Sequence, residues 1–363
     1  MKKNILFVIP TMQQGGAERV VSIMANYWAA KDYCISIISF DNHHPFYPLL
    51  PAVSYYTLNS TVNRFGIFNF IVNNIKRTVN YFKYLRKIKP DVIISFTDNA
   101  NVYCILFNFI LKKKLVITQR TNPYYLTLPF IIKGLPGLIY RYANVMILQS
   151  AATLDIYKKL KIKLPSKTEV IFNMIKNEFN DKAIEEKREN IVLAVGRIQN
   201  EEKQFDRLID IFSATVNAGW QLHIVGNGPH LEDLKIRIAN AGLNAKVYLL
   251  GNVKNIMPLY RKAKIFVLTS LFEGQPNALI EAMVNGCACL SYDCPTGPAE
   301  IIKHNVNGIL IELNNEKEFT KQLSTMMNDE TTIKSFSAQA VKVKYLFDET
   351  EIMKQWENVI KHL

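Results

Sequence analysis

The chain is written as short apolar runs rich in Val, Ile and Leu, separated by longer stretches with helical spacing of their apolar residues. In the first half the runs are NILFVIP at 4–10, YCISIISF at 33–40, DVIISF at 91–96, KLVIT at 114–118 and VMILQS at 145–150. Helical patterns start near Ala17, run from Ile71 to Ile88, and start again near Ala151. The second half repeats the alternation with IVLAVG at 191–196, QLHIVG at 221–226, KVYLLG at 246–251, KIFVLTS at 264–270 and CACLSYD at 287–293. Strands that are apolar throughout and alternate with helices predict parallel sheets covered on both faces. The fold class expected is therefore α/β, with two doubly wound, Rossmann-like domains.

The polar stretch NEFNDKAIEEKREN at 177–190 separates the two alternations. The predicted division is 1–185, 186–345 and a C-terminal helix at 346–363. In that helix Ile352, Trp356, Val359 and Ile360 share one face, which is expected to pack back on the first domain. A length of 363 residues with 49% hydrophobic content agrees with two ordered cores. The opening MKKNILFVIP stops at Pro10 and continues into TMQQGGAER, so it reads as a first buried strand, not as a leader. No apolar run reaches the roughly 18–20 residues needed to span a bilayer; the stretch from Val102 to Leu111 is broken by Asn108 and ends in three lysines. Cys34, Cys104, Cys287, Cys289 and Cys294 are odd in number and sit in apolar segments, as reduced thiols would, and they lack the pair spacing of a zinc site.

Charge adds an asymmetry. The net charge is +13, but residues 1–185 hold 24 Lys and Arg against 10 Asp and Glu, whereas the remainder holds 20 against 21. The basic residues cluster at 76–89, 112–114 and 158–167, with aromatics interleaved in and just before the first group. A basic helix face is often only solvated; an excess confined to one half points to an anionic membrane surface. A nucleic-acid partner would leave the glycine loops and carboxylates below without a role. The expected location is cytoplasmic, peripheral on the inner face of the cell membrane.

In open parallel sheets ligands bind beyond the carboxyl ends of the strands. Three loops there carry chemistry. Gly15 and Gly16, before the first helix, can bring backbone N–H groups to an anion or simply form a tight turn; their spacing fits neither a dinucleotide fingerprint nor a P-loop. Arg197 and Lys203, after IVLAVG, offer a guanidinium and an ammonium for a diphosphate, or two solvated cations. Glu273 and Glu281 flank a helix start, with Gly274, Gln275, Pro276, Asn277, Ala278 and Leu279 between them. N–H groups from Asn277 to Leu279 are expected to be free for a phosphate. One carboxylate would then suit sugar hydroxyls and the other ribose hydroxyls.

GGAER at 15–19, GRIQNEEKQFDRLI at 196–209, GNGP at 226–229, LLGNVKNI at 249–256, the pair Glu273 and Glu281, and CPTGPAEII at 294–302 follow one another in a specific order. With these elements the chain resembles, over essentially its whole length, the retaining glycosyltransferases of glycosyltransferase family 4, which have the GT-B fold of two Rossmann-like domains facing across a cleft. Within them it is most similar to bacterial members that extend lipid-linked oligosaccharides or exopolysaccharide repeats. The resemblance implies a UDP-linked hexose or N-acetylhexosamine donor and a polyprenyl-diphosphate-linked glycan acceptor. It implies that Gly15 and Gly16 meet the donor phosphates, that Arg197 and Lys203 neutralise the diphosphate, that Glu281 holds the ribose and that Glu273 binds the transferred sugar. Asn227, the backbone at Val253, and Gly274, Gln275, Asn277, Ala278 and Leu279 complete the implied donor site. Two positions depart from the family pattern: Arg120 stands where many relatives have His, and Asn173-Met174 where many have Asn-Pro. Asp98 and Asn99, after DVIISF, are candidates for acceptor contact or for a helix cap. No Asp-x-Asp occurs, so neither a cofactor nor a divalent metal is expected. A nucleotide-sugar epimerase on a similar scaffold is the alternative enzyme reading.

Overall fold

A computed structural model describes residues 3–58, 67–125, 134–175, 188–215 and 219–363. The chain divides into two compact units, Met1–Met174 together with Thr350–Leu363, and Ile175–Glu349. Most of the polar stretch 177–190 lies outside the described residues.

The first unit holds strands β1 (Asn4–Ile9), β2 (Cys34–Ser39), β3 (Val53–Thr57), β4 (Val92–Phe96), β5 (Lys114–Thr118), β6 (Val145–Leu148) and β7 (Lys167–Val170). They form one parallel sheet in the order β3-β2-β1-β4-β5-β6-β7. Its helices are α1 (Gly16–Ala30), α2 (Ile67–Ile88), α3 (Asp98–Leu111), α4 (Leu135–Ile139) and α5 (Ala151–Lys159). The second unit has β8 (Glu189–Val195), β9 (Gln221–Val225), β10 (Val247–Leu249), β11 (Ala263–Leu268), β12 (Ala288–Asp293) and β13 (Ile309–Glu312), parallel in the order β10-β9-β8-β11-β12-β13. Helices α6 (Asn200–Lys203), α7 (Phe205–Ser213), α8 (Leu231–Asn240), α9 (Met257–Lys262), α10 (Asn277–Val284), α11 (Pro298–Ile301), α12 (Glu316–Met327) and α13 (Glu330–Ala340) connect them.

Both sheets reverse direction of winding at a defined place, between β1 and β4 and between β8 and β11. Helices leave opposite faces of the sheet there, which opens a crevice at the strand ends. The strands around each reversal are buried on both faces: Ile5 to Ile9 and Ile265 to Val267 have almost no exposure. This is why they carry continuous apolar runs and not alternating ones. Every run named from the sequence forms a strand. Three further strands, β3, β7 and β13, lie at sheet edges, where one flank is unpaired and the sequence (VSYYT, KTEV, ILIE) needs little apolar content.

The last helix, α14 (Glu349–Lys361), buries Ile352, Met353, Trp356, Val359 and Ile360. Lys3 Nζ donates to the Ile360 carbonyl at 2.7 Å and Lys31 pairs with Glu357 at 2.9 Å, tying α14 to β1 and α1 of the first unit. Among the described residues no helix is long and apolar enough to cross a membrane. Trp356 is 1% exposed, so Trp356→Ala is expected to cost about 3–5 kcal/mol. Thermal unfolding should show the loss, and an unchanged midpoint would mean that α14 contributes no packing.

Candidate functional site

In the second unit the loops at the carboxyl ends of the strands are stitched into one surface. Gly196 N–H donates to the Val225 carbonyl at 3.0 Å, Ile198 N–H to Asn227 at 3.0 Å, and Gly226 N–H to Gly251 at 2.9 Å. The segments carrying Arg197, Asn227 and Val253 therefore run side by side in strand order. Their approach is too close for side chains: a Cβ on Gly226, whose φ is +147°, would lie 1.8 Å from the Gly196 carbonyl oxygen, and one on Gly228 2.1 Å from that of Ile198. Arg197 is exposed. Asn227 is exposed as well, its Oδ1 taken by the Gly228 N–H at 2.8 Å.

Across the reversal of the sheet, the loop after β8 meets the loop after β11. Thr269 Oγ1 donates to the Lys203 carbonyl at 2.8 Å, and Leu271 N–H donates to the Glu202 carbonyl at 2.9 Å. These two bonds fix the end of α6 against the 269–276 loop, and they bring Lys203 Nζ to 2.7 Å from Glu273 and 2.9 Å from Glu202. Burial disfavours the ammonium, but the charges of Glu273 and Glu202 outweigh it and hold the Lys203 pKa above its ordinary value. The sequence indicated Lys203 and Glu273 as separate participants; the structure makes them one ion pair. Glu202 is a third member that the sequence reading left out. The residue types EEK stand next to each other at 201–203, but nothing in their order says which carboxylate turns inward.

Glu273 and Glu281 are both buried, at 8% and 7% exposure. The Glu273 carbonyl accepts from Thr296 Oγ1, so the loop after β12 buttresses this carboxylate. Glu281, in the second turn of α10, accepts from the Tyr260 hydroxyl at 3.1 Å. Tyr260 was also absent from the sequence reading, because α9 is distant from α10 in the chain. The start of α10 corrects one expectation. Asn277 N–H donates to the Gln275 carbonyl at 2.9 Å and Leu279 N–H to Pro276 at 3.0 Å, because the chain makes a tight turn before the helix. Of these three groups only the Ala278 N–H lacks a backbone acceptor among the described residues. Gln275 is buried, Gly274 is half-buried, and Val253 lies half-buried in the loop after β10. Cys294 stays a thiol, its pKa pushed up to about 12 by burial and by the Glu273 charge. Among the described residues no group of three or more His, Cys, Asp and Glu could hold a metal ion.

The first unit places its candidates on separate footings. Gly15 caps α1 in an extended conformation and Gly16 is its first residue. The Glu18 carboxylate lies against Gly15, where a Cβ would come within 2.1 Å of it, so the anion position expected at this helix start faces a carboxylate of the chain itself. Asp98 is 2% exposed, and it accepts from Tyr140 at 2.8 Å and Thr121 at 3.1 Å. It is neither a cap nor presented to solvent: Thr97 occupies the cap position, at a φ of +73° that a β-branched residue rarely adopts, and its hydroxyl has no partner among the described residues. Burial raises the Asp98 pKa against the hydrogen bonds that lower it. Asn99 is half-buried. Arg120 stacks its guanidinium 4.4 Å from the centre of the Phe96 ring, donates to Thr118 at 3.2 Å and donates to Asn173. The two departures from the family pattern, Arg120 and Asn173-Met174, are thus joined by a hydrogen bond. No carboxylate is paired with Arg120 among the described residues, and burial brings its pKa down to about 9.

The family model for glycosyl transferases group 1 matches residues 175–343. That span makes up most of the second unit, and over it the chain is similar to the group 1 glycosyl transferases. Along the whole chain, 28% of positions are identical to a Campylobacter jejuni alpha-1,4-N-acetyl-D-galactosaminyltransferase named for GalNAc-alpha-(1->4)-GalNAc-alpha-(1->3)-diNAcBac-PP-undecaprenol, with 98% of each chain covered. Identity to the amylovoran biosynthesis glycosyltransferase AmsD of Erwinia amylovora is 27%, covering 99% of this chain and 100% of that one. Among solved structures, Anabaena HepE in complex with UDP and glucose superposes with a TM-score of 0.81 at 19% identity, over 99% of this chain and 100% of that one. At that identity the likeness shows the fold, which is GT-B: two Rossmann-like units, each with its own parallel sheet.

Because Gly226 is in contact with Gly196, Gly226→Ala is expected to destabilise the second unit by more than Gly242→Ala. The latter (φ +66°) has nothing within 4 Å and meets only the ~1–2 kcal/mol of left-handed strain. Urea unfolding of the two variants decides this, and equal losses would mean that the loops separate without cost.

Proposed function

We propose that this protein is a retaining, metal-independent hexosyltransferase. In this reading it moves a hexose or N-acetylhexosamine from a UDP-linked donor to a polyprenyl-diphosphate-linked glycan at the inner face of the cell membrane. The observation that carries the reading is the Lys203–Glu273 ion pair at the sheet reversal, its carboxylate buried and its ammonium half-buried, with Arg197 exposed on the same loop and Glu281 on the helix that follows. The names of the two relatives support glycan assembly, that of the Campylobacter enzyme supports an undecaprenol-linked acceptor, and the HepE complex supports a uridine nucleotide.

Each residue then has a physical task. Arg197 and Lys203 balance the diphosphate, the guanidinium by paired N–H donors and the ammonium as a point charge. Glu281, oriented by Tyr260, accepts from ribose hydroxyls, and Glu273 accepts from hydroxyls of the transferred sugar. The backbone near Val253 and Asn227 borders the base and ribose. Gly274, Gln275, Asn277, Ala278 and Leu279 enclose the sugar and phosphates, with the Ala278 N–H as the available donor. Gly15 and Gly16 approach the phosphates through their backbone, which requires the Glu18 carboxylate to move aside. Asn99 and Arg120 border the acceptor, and Asp98, itself buried, holds Tyr140 and Thr121 in place. The bond from the anomeric carbon to the diphosphate breaks as the acceptor hydroxyl attacks the same face. The hydroxyl proton passes to the departing diphosphate, so no carboxylate nucleophile is used. Arg197 and Lys203 stabilise the charge that develops on the leaving group and take the place of a metal ion.

The test is to incubate the protein with a panel of nucleotide sugars and lipid-linked sugar acceptors in the presence of a chelator, following nucleotide diphosphate release by mass spectrometry. Acceptor-dependent release from one donor is expected; isomerisation of a donor without acceptor would favour an epimerase, and full loss on chelation would contradict metal independence. Glu273→Gln should lower kcat by about 10- to 100-fold with little change in donor affinity, because its hydrogen bond strengthens as charge develops on the sugar. Glu202→Gln should lower the donor KM about two- to fivefold, since it removes a partly exposed carboxylate that competes with phosphate for Lys203. An unchanged KM would mean that donor phosphate and Glu202 do not share the ammonium.

A further inference from the structure

The first unit carries an apolar surface on the outside of α2, α3 and α4. On α3, Leu106, Phe109 and Ile110 are exposed, Ile110 at 72%. On α4, Leu138 is 66% exposed. These are not isolated residues: the Phe109 ring lies 5.1 Å from that of Tyr142, the exposed tyrosine just after α4, and Phe82 of α2 lies 5.5 Å from Phe107. From Phe82 the surface continues along α2 to Val79, one turn away and 60% exposed. Single exposed apolar side chains need no explanation, but a run across neighbouring helices does.

The charges around it are predominantly of one sign; Asp155, paired with Lys158 at 3.0 Å, and Glu169, paired with Lys167 at 3.5 Å, are acidic exceptions beside the end of α5. Residues 72–90, 99–114, 134–142 and 156–168 contain fifteen Lys and Arg and no Asp or Glu. Lys112 sits at the end of α3 beside Ile110, Arg141 precedes Tyr142, and Lys158, Lys159 and Lys161 close α5 around the exposed Leu160. Gly137 of α4 lies against Ile162, which brings that basic end beside the apolar surface. A nucleic-acid surface would set its cations around a polar groove or isolated stacking rings, not around aliphatic side chains. An apolar centre rimmed by ammonium and guanidinium groups matches a bilayer surface, where the apolar side chains enter the acyl boundary and the cations meet phosphate headgroups.

We propose that the surface formed by α2, α3, α4 and the end of α5 is a membrane-docking face for a bilayer containing anionic lipid, with Phe109 and Ile110 inserted into it. The inference rests on the peripheral location proposed above and adds the face that makes the contact. It also assigns part of the binding to apolar insertion, which a charge count alone would not.

The experiment is co-sedimentation of the full chain with phosphatidylcholine vesicles, with and without phosphatidylglycerol. Binding is expected only with the anionic lipid, and the double variant Phe109→Ser with Ile110→Ser should bind roughly tenfold more weakly. Circular dichroism and thermal unfolding verify that the variant is folded. A second variant, Phe109→Trp, should gain an emission component, absent from the wild type, that shifts to the blue on adding anionic vesicles. Failure of the wild type to bind anionic vesicles, undiminished binding by the double variant, or the absence of a blue shift in the Phe109→Trp variant would each overturn the proposal. So would a wild-type dimer, seen by light scattering, that the double variant dissolves while neither form binds vesicles, since the face would then be a subunit interface. Vesicle binding is read without turnover. Inactivity towards every donor would therefore count against the transferase reading alone, and transfer to a lipid-linked acceptor without vesicle binding would count against the docking face alone.

Discussion

The Lys203 ammonium is a charge largely withdrawn from water, and the second unit is built so that it is never left alone. Its stem lies against Gly196, where a side chain would approach to 3.2 Å, and its nitrogen reaches two carboxylates. An unpaired buried ammonium would lose its proton or destabilise the fold. The pairing depends on backbone placement: the carbonyls of Glu202 and Lys203 are bonded to Leu271 and Thr269, and Glu273 is held from behind by Thr296. Thus the loops after β8, β11 and β12 are locked to one another around one charge. With two carboxylates on one ammonium, the cluster is negative on balance. An arriving diphosphate has to redistribute those contacts, which is a route by which donor binding can be coupled to the position of Glu273.

Much of this was legible in the chain because each feature has a local cause. Buried parallel strands are apolar throughout, so the runs from NILFVIP to CACLSYD identified themselves. The glycines at 226 and 228 mark places where one loop touches another, and the structure supplies the partners, the carbonyls of Gly196 and Ile198. What could not be read were relations between distant segments. Glu202 and Glu201 are indistinguishable as letters, and Tyr260 meets Glu281 only because β8, β11 and β12 set α9 beside α10. The free N–H groups expected from Asn277 to Leu279 failed for a local reason instead: Gln275 and Pro276 turn back on the helix start and consume two of them. The edge strands β3, β7 and β13 escaped because an edge imposes weak demands on composition.

The first unit solves its electrostatics differently. Arg120 is desolvated without a carboxylate beside it among the described residues, and the compensation comes from the Phe96 ring and from the amide and hydroxyl oxygens of Asn173 and Thr118. Such neutral partners leave the positive charge in place, which explains why burial lowers the pKa to about 9 without abolishing the charge at neutral pH. Asp98 is the mirror case, a buried carboxylate supported only by hydroxyl and amide donors, Tyr140, Thr121 and Gln119. Together with the strained Thr97, these groups with neutral partners gather at the carboxyl ends of β4 and β5, the side of a doubly wound sheet where ligands bind. An Arg in place of the His of many relatives makes this end more positive, at a position that stays charged where a His would titrate.

The division of charge between the two halves follows from the two kinds of substrate proposed. A nucleotide sugar is soluble and comes to the protein, so the unit that holds it needs local cations at a few positions and can be neutral overall. A lipid-linked acceptor cannot leave its bilayer, so the unit that meets it has to come to the membrane and remain there long enough for transfer. A basic surface alone concentrates the protein near anionic headgroups but leaves it free to rotate and slide. Apolar side chains that enter the interface add depth and fix an orientation, because they are buried only in one pose. Polybasic sequence and exposed apolar side chains in the first unit are then two parts of one requirement, and the near neutrality of residues 186–363 is its complement.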